Sequence, residues 1–237
     1  MKPWDLEFQP PLTPAVLIRR YKRFLADVIL PDGQVVTVHV PNSGAMLGVS
    51  EPGSRVWLSV AKPGRKLGHT LHFVETQSSW AGVDTMIPNR LVKAALAKGA
   101  LPGFEGFARF RPEVAYGEAS RVDFLLEADE GPPLYLEVKN CHLSRVAGLA
   151  EFPDCVAARS SKHMDALATM VDGGARAAVV FIVQRTDCKR FSLARELDPT
   201  FAAAALRAAA AGVSFHALQC EMSPAGMRLD GSLAVEL

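Results

Sequence analysis

Residues 120–142 restrict the fold more than any other stretch. They read Ser-Arg-Val-Asp-Phe-Leu-Leu-Glu-Ala-Asp-Glu-Gly-Pro-Pro-Leu-Tyr-Leu-Glu-Val-Lys-Asn-Cys-His. Two short apolar runs flank Asp129-Glu130-Gly131-Pro132-Pro133, and Gly/Pro punctuation between two such runs is the pattern of a β-hairpin. Side chains alternate along a strand, so Glu137 and Lys139 share one side while Leu136 and Val138 face apolar packing. The turn brings Asp123, on the first strand, beside Glu137, with Lys139 one step further along. Two carboxylates in one small volume repel unless a cation lies between them. Oxygen ligands of this kind suit a hard cation, Mg²⁺ or Mn²⁺. An ammonium beside such an ion can orient a water or neutralise charge developing on a phosphate. Glu-x-Lys alone is common on the wet face of amphipathic strands. Here the acid stands among large apolar residues, Asp123 precedes it by a hairpin's length, and a charged helix pattern follows.

The length of 237 residues allows one large domain or two smaller ones, and 49% apolar residues support a proper core. No run reaches the roughly 20 apolar residues of a membrane span. The start, Met-Lys-Pro-Trp-Asp-Leu-Glu-Phe, has no apolar h-region, so export by a signal peptide is not expected. Cys141, Cys155, Cys188 and Cys220 are far apart and form no Cys-x-x-Cys pair. Neither a zinc site nor a disulfide framework is signalled, and free thiols in a reducing cytoplasm are expected, with no disulfide-linked partner. The net charge of +1 hides an asymmetry: residues 1–100 carry +5 and residues 101–237 carry −4. A cationic first part and an acidic second part fit a nucleic-acid partner.

Along the first part, strands are expected at 15–30, 35–40, 55–61, 70–75 and 80–86, separated by Pro31-Asp32-Gly33, Pro41-Asn42-Ser43-Gly44 and Pro52-Gly53. Five short strands with such turns suggest a small closed barrel, of which the oligonucleotide/oligosaccharide-binding (OB) barrel is one kind. Arg19, Arg20, Lys22 and Arg23 interleave with Tyr21 and Phe24, a pattern that suits a phosphate backbone and stacked bases as well as it suits a solvated strand face. The loop through Asn42 and Ser43 offers backbone N–H groups to an anion, although its spacing favours a simple tight turn.

A helix is expected over 88–98, with Pro near its start and Gly99 at its end. Residues 99–106, rich in Gly and Pro, read as a junction. The expected division is a barrel at 1–86, helix and junction at 87–106, and an α/β domain at 107–237. In the last, a strand at 112–118 precedes the hairpin. A helix at 153–172 carries Val156, Met164, Leu167 and Val171 on one face and Arg159, Lys162 and His163 on another. A buried strand at 177–183, an Ala-rich helix at 200–211 and a strand at 213–219 complete a three-layer α/β pattern.

Asp123, the hairpin, Glu137-Val138-Lys139 and a following basic helix resemble the PD-(D/E)xK nuclease superfamily. Five blocks look like the bacterial sugar fermentation stimulation protein A family over nearly the whole chain. They are Arg20–Val28, Pro41–Met46, Ser120–Phe124, Glu137–Lys139 and Phe152–Asp154. The resemblance implies an N-terminal OB-like barrel, a C-terminal nuclease-like mixed-sheet α/β domain, DNA binding and a regulatory role in sugar (maltose) metabolism. It implies that Asp123 and Glu137 hold the metal, that the carbonyl of Val138 adds a ligand, and that Lys139 positions the attacking water. Arg159 and Lys162, assisted by His163, then contact phosphate, and Arg121 beside Asp123 joins them. Many such nucleases carry a further acid on the helix before the first strand. Helix 88–98 has none, and Glu113 or Glu118 is the substitute.

The leading expectation is a DNA-binding protein with a Mg²⁺- or Mn²⁺-dependent nuclease site, set against a non-catalytic DNA-binding regulator on the same scaffold. A third reading, an oligosaccharide-binding barrel using Tyr21, Trp57 and Trp80, is weaker because large aromatics mostly fill interiors. His69 and His72, three apart on a strand, make a poor metal pair. No nucleotide-binding loop, serine-hydrolase elbow or dinucleotide fingerprint is present. The oligomeric state, homodimer included, is left open.

Overall fold

Gly and Pro turns cut the first third of the chain into short strands that cannot each bury a face alone, so they curl round one another. The structure, a computed structural model, describes residues 3–77, 79–116 and 120–237, the side chain of Ser120 excepted. After β1 (Leu6–Glu7) come β2 (Thr13–Tyr21), β3 (Leu25–Ile29), β4 (Val35–His39), β5 (Arg55–Val60), β6 (His69–Glu75) and β7 (Trp80–Gly82). The order β4-β3-β2-β5-β6 closes through a parallel pairing of His39 with Thr70, and β7 adds to the far end of β6. This is the OB-like barrel expected. Leu17, Ala26, Val28, Val38, Val56, Leu58 and Leu71 fill it.

One expected strand is two. The run 15–30 reverses at Lys22 and Arg23, both in the left-handed region at φ 48° and 62°, and returns antiparallel with Arg20 opposite Ala26. The turn contains neither Gly nor Pro, so no turn signal interrupts the apolar pattern.

The rest of the chain forms α1 (Ile87–Ala97), β8 (Arg109–Tyr116), β9 (Ser120–Glu127), β10 (Leu134–Cys141), β11 (Leu143–Val146) and β12 (Leu149–Phe152). Then follow α2 (Ala158–Asp172), β13 (Arg176–Val183), β14 (Arg190–Leu193), α3 (Pro199–Ala210), β15 (Ser214–Ser223) and β16 (Gly226–Glu236). These strands make one mixed sheet in the order β11-β12-β14-β16-β15-β13-β10-β9-β8, with β1 paired to β16. β13, apolar and buried from Ala177 to Val183, runs parallel to both β10 and β15, as a strand covered on both faces should. On one face α1 packs Ile87, Leu91, Val92 and Ala95 against Leu136, Val138, Val180 and Ile182. On the other, Met164 and Leu167 of α2 and Phe201 and Ala205 of α3 cover Val179, Phe181 and Val183. Each fully buried Val, Leu, Ile, Met or Phe among them contributes about 1.5–3 kcal/mol. The short strands β11, β12 and β14 and the return of β16 carry weak alternation and were not expected.

Barrel and sheet are joined by backbone as well as side chains. The N–H of Gly82 donates to the carbonyl of Gln184 at 2.8 Å, and Gln184 Nε2 donates to the carbonyl of Asp84 at 3.1 Å. No helix among the described residues is long and apolar enough to cross a membrane, and all four cysteines are unpaired.

Candidate metal centre and the adjoining cleft

The hairpin forms as its sequence requires, with Leu126 opposite Leu134 and Phe124 opposite Leu136. Carried one pair further, the same register sets Asp123 opposite Glu137. There the ladder parts and the Asp123 carboxylate replaces it. Oδ2 accepts from the N–H of Val138 at 2.7 Å, and Oδ1 accepts from Asn89 Nδ2, in the first turn of α1, at 2.7 Å.

Glu137 is 3% exposed. Its Oε1 accepts from Lys139 Nζ at 2.7 Å and from His163 Nδ1 in α2. Arg159 Nε in turn donates to His163 Nε2 at 3.4 Å, which assigns the Nδ1–H tautomer to that ring. Among the described residues, Glu137 Oε2 is buried with no hydrogen-bond partner, and so is the hydroxyl of Tyr116 at the end of β8. Buried polar atoms without partners are rare and point to a missing ligand or water.

The electrostatics follow from this packing. Burial pushes Asp123 up, the charge of Glu137 adds to it, and the donors Val138 N–H and Asn89 with the charge of Lys139 offset only part, leaving it at about 6. Burial also works to raise Glu137, but the hydrogen bond from His163 and the charge of Lys139 prevail and hold it below the usual range. Tyr116 is raised by burial first and by the charges of Glu137 and Asp123 second. The pair of carboxylates, the unpartnered Oε2 and the unpartnered phenol therefore share one electronegative spot. That donor set fits a hard divalent cation, which keeps several waters when only one or two carboxylates hold it.

Beside this spot lies a cleft of about 760 Å³ between barrel and sheet. Val138, Lys139 and Asn140 of β10, with His142 just after it, line one wall, and Arg23, Asn42, Ser43 and Gly44 the other. The cleft is shaped by a loop held from both sides. Arg20 donates to the carbonyls of Arg23, Asn42, Gly44 and Ala45 at 2.8–3.2 Å. Asn42, 2% exposed, bonds the carbonyl of Val83 and the N–H of Gly44. From the sheet side, Asp154 Oδ2 accepts from the N–H of Met46 at 2.8 Å, and His142 Nε2 stands 3.4 Å away from the same oxygen. A Cβ on Gly44 would lie 2.8 Å from both Asp154 oxygens, so only glycine admits this approach.

Burial alone would raise Asp154, yet the His142 ring and the N–H of Met46 bring it to about 2. A carboxyl whose folded pKa is depressed contributes stability above its unfolded value, near 3.9, and loses it as pH falls through the folded value. Asp154→Asn is expected to lower stability by about 2 kcal/mol at pH 7. The gap to the unsubstituted protein closes as pH falls from about 4 to 2, read by denaturant melts at each pH. A gap constant over that range contradicts the assignment.

Other expected contacts are distributed unevenly. Arg20 is committed to backbone carbonyls rather than to the surface. Arg19 pairs with Asp27 at 2.8 Å and lies over Tyr21. Lys22, Arg23, Ser43, Arg121, Arg159 and Lys162 are exposed. Glu113 is exposed at φ 54°, and the charges felt at Asp123 come from Glu137 and Lys139. Glu118 lies outside the described residues. Arg20→Ala is expected to cost about 2 kcal/mol by freeing four carbonyls, against under about 0.5 kcal/mol for the exposed Lys22→Ala. Thermal melts of the two variants check this.

Asn89 and Tyr116 were not among the expected site residues. Asn89 occupies the helix on which the nuclease resemblance implies an acid, and an amide gives no charge signal. Tyr116 ends a strand whose aromatic reads as core. His72 proves buried, bonded to Ser59 Oγ at 2.8 Å and 2.9 Å from Asp84 Oδ2.

An OB-like barrel followed by a mixed α/β sheet domain defines the class of two-part protein seen here. Family models match both parts: the SfsA N-terminal OB domain at residues 18–83 and the sugar fermentation stimulation protein RE domain at residues 86–226. The chain belongs to the sugar fermentation stimulation protein family. A sugar fermentation stimulation protein homolog of Caulobacter vibrioides is 52% identical over 92% of each chain. Another, from Rhodospirillum centenum, is 50% identical over 96% of this chain and 98% of its own. The solved structure of Pyrococcus furiosus SfsA in complex with Ca²⁺ superposes over 100% of both chains with a TM-score of 0.89 at 28% identity.

Proposed function

We propose that the chain hydrolyses phosphodiester bonds of DNA with the help of a divalent cation held between Asp123 and Glu137. The observation that carries this is Glu137 Oε2, a carboxylate oxygen with no partner among the described residues, in a 3% exposed side chain next to a second carboxylate pushed up to about 6. The relative solved with Ca²⁺ supports a site for hard cations. In this reading Asp123 and Glu137, with the Val138 carbonyl, hold Mg²⁺ or Mn²⁺. When bound, that ion supplies Lewis-acid polarisation of the phosphoryl oxygen and a more acidic water.

The chain's own residues do the rest. Asn89 and the N–H of Val138 fix the Asp123 carboxylate. His163, braced by Arg159, fixes Glu137 in one orientation, as partners of ligating groups do. Lys139 Nζ, 2.7 Å from Glu137 Oε1, donates to the attacking water or to a non-bridging phosphoryl oxygen as charge builds there. Arg23 and Ser43 across the cleft, with Lys162, Arg159 and Arg121, face the polyanion. The barrel to residue 86 acts as grip, 87–106 as connector and 107–237 as the hydrolytic part. Four unpaired cysteines fit the cytoplasm.

A second reading, DNA binding without hydrolysis in the regulation of sugar metabolism, is favoured by one observation. Among the described residues no three His, Cys, Asp or Glu side chains group to hold a metal ion. Incubation with Mg²⁺ or Mn²⁺ against single-stranded, duplex and branched DNA separates the two. Metal-dependent cleavage supports the first, and salt-dependent binding with no cleavage of any form supports the second.

A further inference from the structure

A second hollow, of about 570 Å³, opens on the barrel between the β5–β6 loop and α1. Its ten lining residues include Lys62, Arg65, Lys66 and Arg90 and no carboxylate. Among the described residues none of these four side chains has an ion-pair or hydrogen-bond partner. Some other surface cations are paired, as Arg19 is with Asp27 and Lys98 with Asp5. Four like charges round one concavity repel, and an anion of several charges relieves all of them together. The first turn of α1, which carries Arg90, holds no acid either, so the positive end of the helix adds to the field.

The hollow is built rather than incidental. Ser59 and Thr70 place hydroxyls in its wall. Ser59 is held by His72, 6% exposed, which leans on Asp84, 4% exposed. Asp84 also accepts from the N–H of Met86 at 2.8 Å, immediately before α1. The barrel wall, the helix start and Arg90 are thereby fixed to one another. Asn89, the neighbour of Arg90, bonds Asp123 at 2.7 Å. One turn of helix thus touches the carboxylate pair with one residue and the cationic hollow with the next.

We infer that this hollow is a phosphate-backbone subsite for a nucleic-acid strand that reaches the Asp123–Glu137 centre across the first turn of α1. Guanidinium and ammonium groups with hydroxyls and no acid are the chemistry of phosphate recognition. The inference rests on the proposed DNA reading but concerns grip, not hydrolysis.

The test compares the full-length protein with the Lys62→Gln/Arg65→Gln/Lys66→Gln/Arg90→Gln variant, binding a fluorescein-labelled 20-mer of thymidine in EDTA from low to moderate salt. With about 0.7 counterion released per contact to a single strand, the slope of log K against log salt is expected to fall by about 2–3, with at least a roughly tenfold loss of affinity. Melting should change little, because all four side chains are exposed. An unchanged slope overturns the subsite, as does the absence of any binding at low salt. Inorganic tripolyphosphate is titrated in parallel. If the variant loses it but keeps the oligonucleotide, the hollow serves a free phosphorylated molecule and the inference is wrong. If the slope falls while Mn²⁺ produces no cleavage, the subsite stands and hydrolysis does not.

Discussion

On the proposed reading, Asp123→Asn and Glu137→Gln are each expected to reduce Mn²⁺-dependent DNA cleavage by at least about 10³-fold. Loss of a single preorganised electrostatic donor in an active site already costs about 10²–10³, and each of these changes removes a ligand charge from a site with few ligands. Lys139→Met falls near 10²-fold, because it removes transition-state stabilisation but leaves both carboxylates. It also frees Glu137 Oε1 from one of its two partners. His163→Gln falls by about 10–100-fold, the usual effect of removing a group that only orients a ligand. Single-turnover rates at saturating protein give this order. Equal losses at all four positions would mean a general collapse of the hairpin, which circular dichroism melts would reveal. Full activity of Glu137→Gln would remove the carboxylate pair from the chemistry.

The second large effect is on stability. If the pair holds a cation as proposed, divalent cations are expected to raise the melting temperature, and more so at pH 7.5 than at pH 5. Asp123 stands at about 6 in the folded chain against about 3.9 unfolded. Between those values folding takes up a proton, so stability falls as pH rises through the window, and above about 6 the metal-free fold carries a penalty of roughly 3 kcal/mol. A bound cation favours the ionised pair and relieves that penalty, whereas at pH 5 it must first displace a proton. At a hundredfold excess over its Kd, an ion stabilises by about 2.7 kcal/mol, or roughly 5–10 °C for a chain of this size. Differential scanning fluorimetry with Ca²⁺ and Mn²⁺ reads this. The shift should disappear in Asp123→Asn. An equal shift at both pH values would place the ion elsewhere.

The central hairpin was legible because three signals coincide there: alternation, Gly/Pro punctuation and acids at apolar positions. Register then follows from turn length, which sets Asp123 against Glu137. The barrel was legible as a count of strands but not as a path. The reversal at Lys22-Arg23 uses left-handed backbone on residues that give no turn signal. Arg20 shows a different limit. A guanidinium in a basic run reads as a phosphate contact, yet its five donors can equally bind carbonyls, and only the folding of the 42–46 loop around it decides. Asn89 and Tyr116 were hidden because neither is charged. His163 was visible only as a basic helix residue, whereas burial against Glu137 makes it a brace for the carboxylate.

The loop braced by Arg20 on one side and by Asp154 on the other sets the mouth of the cleft as a rigid gauge. Gly44 lies so near the Asp154 carboxylate that the two walls have no slack to trade. On the proposed reading, the girth a strand presents at this mouth is expected to decide whether it enters.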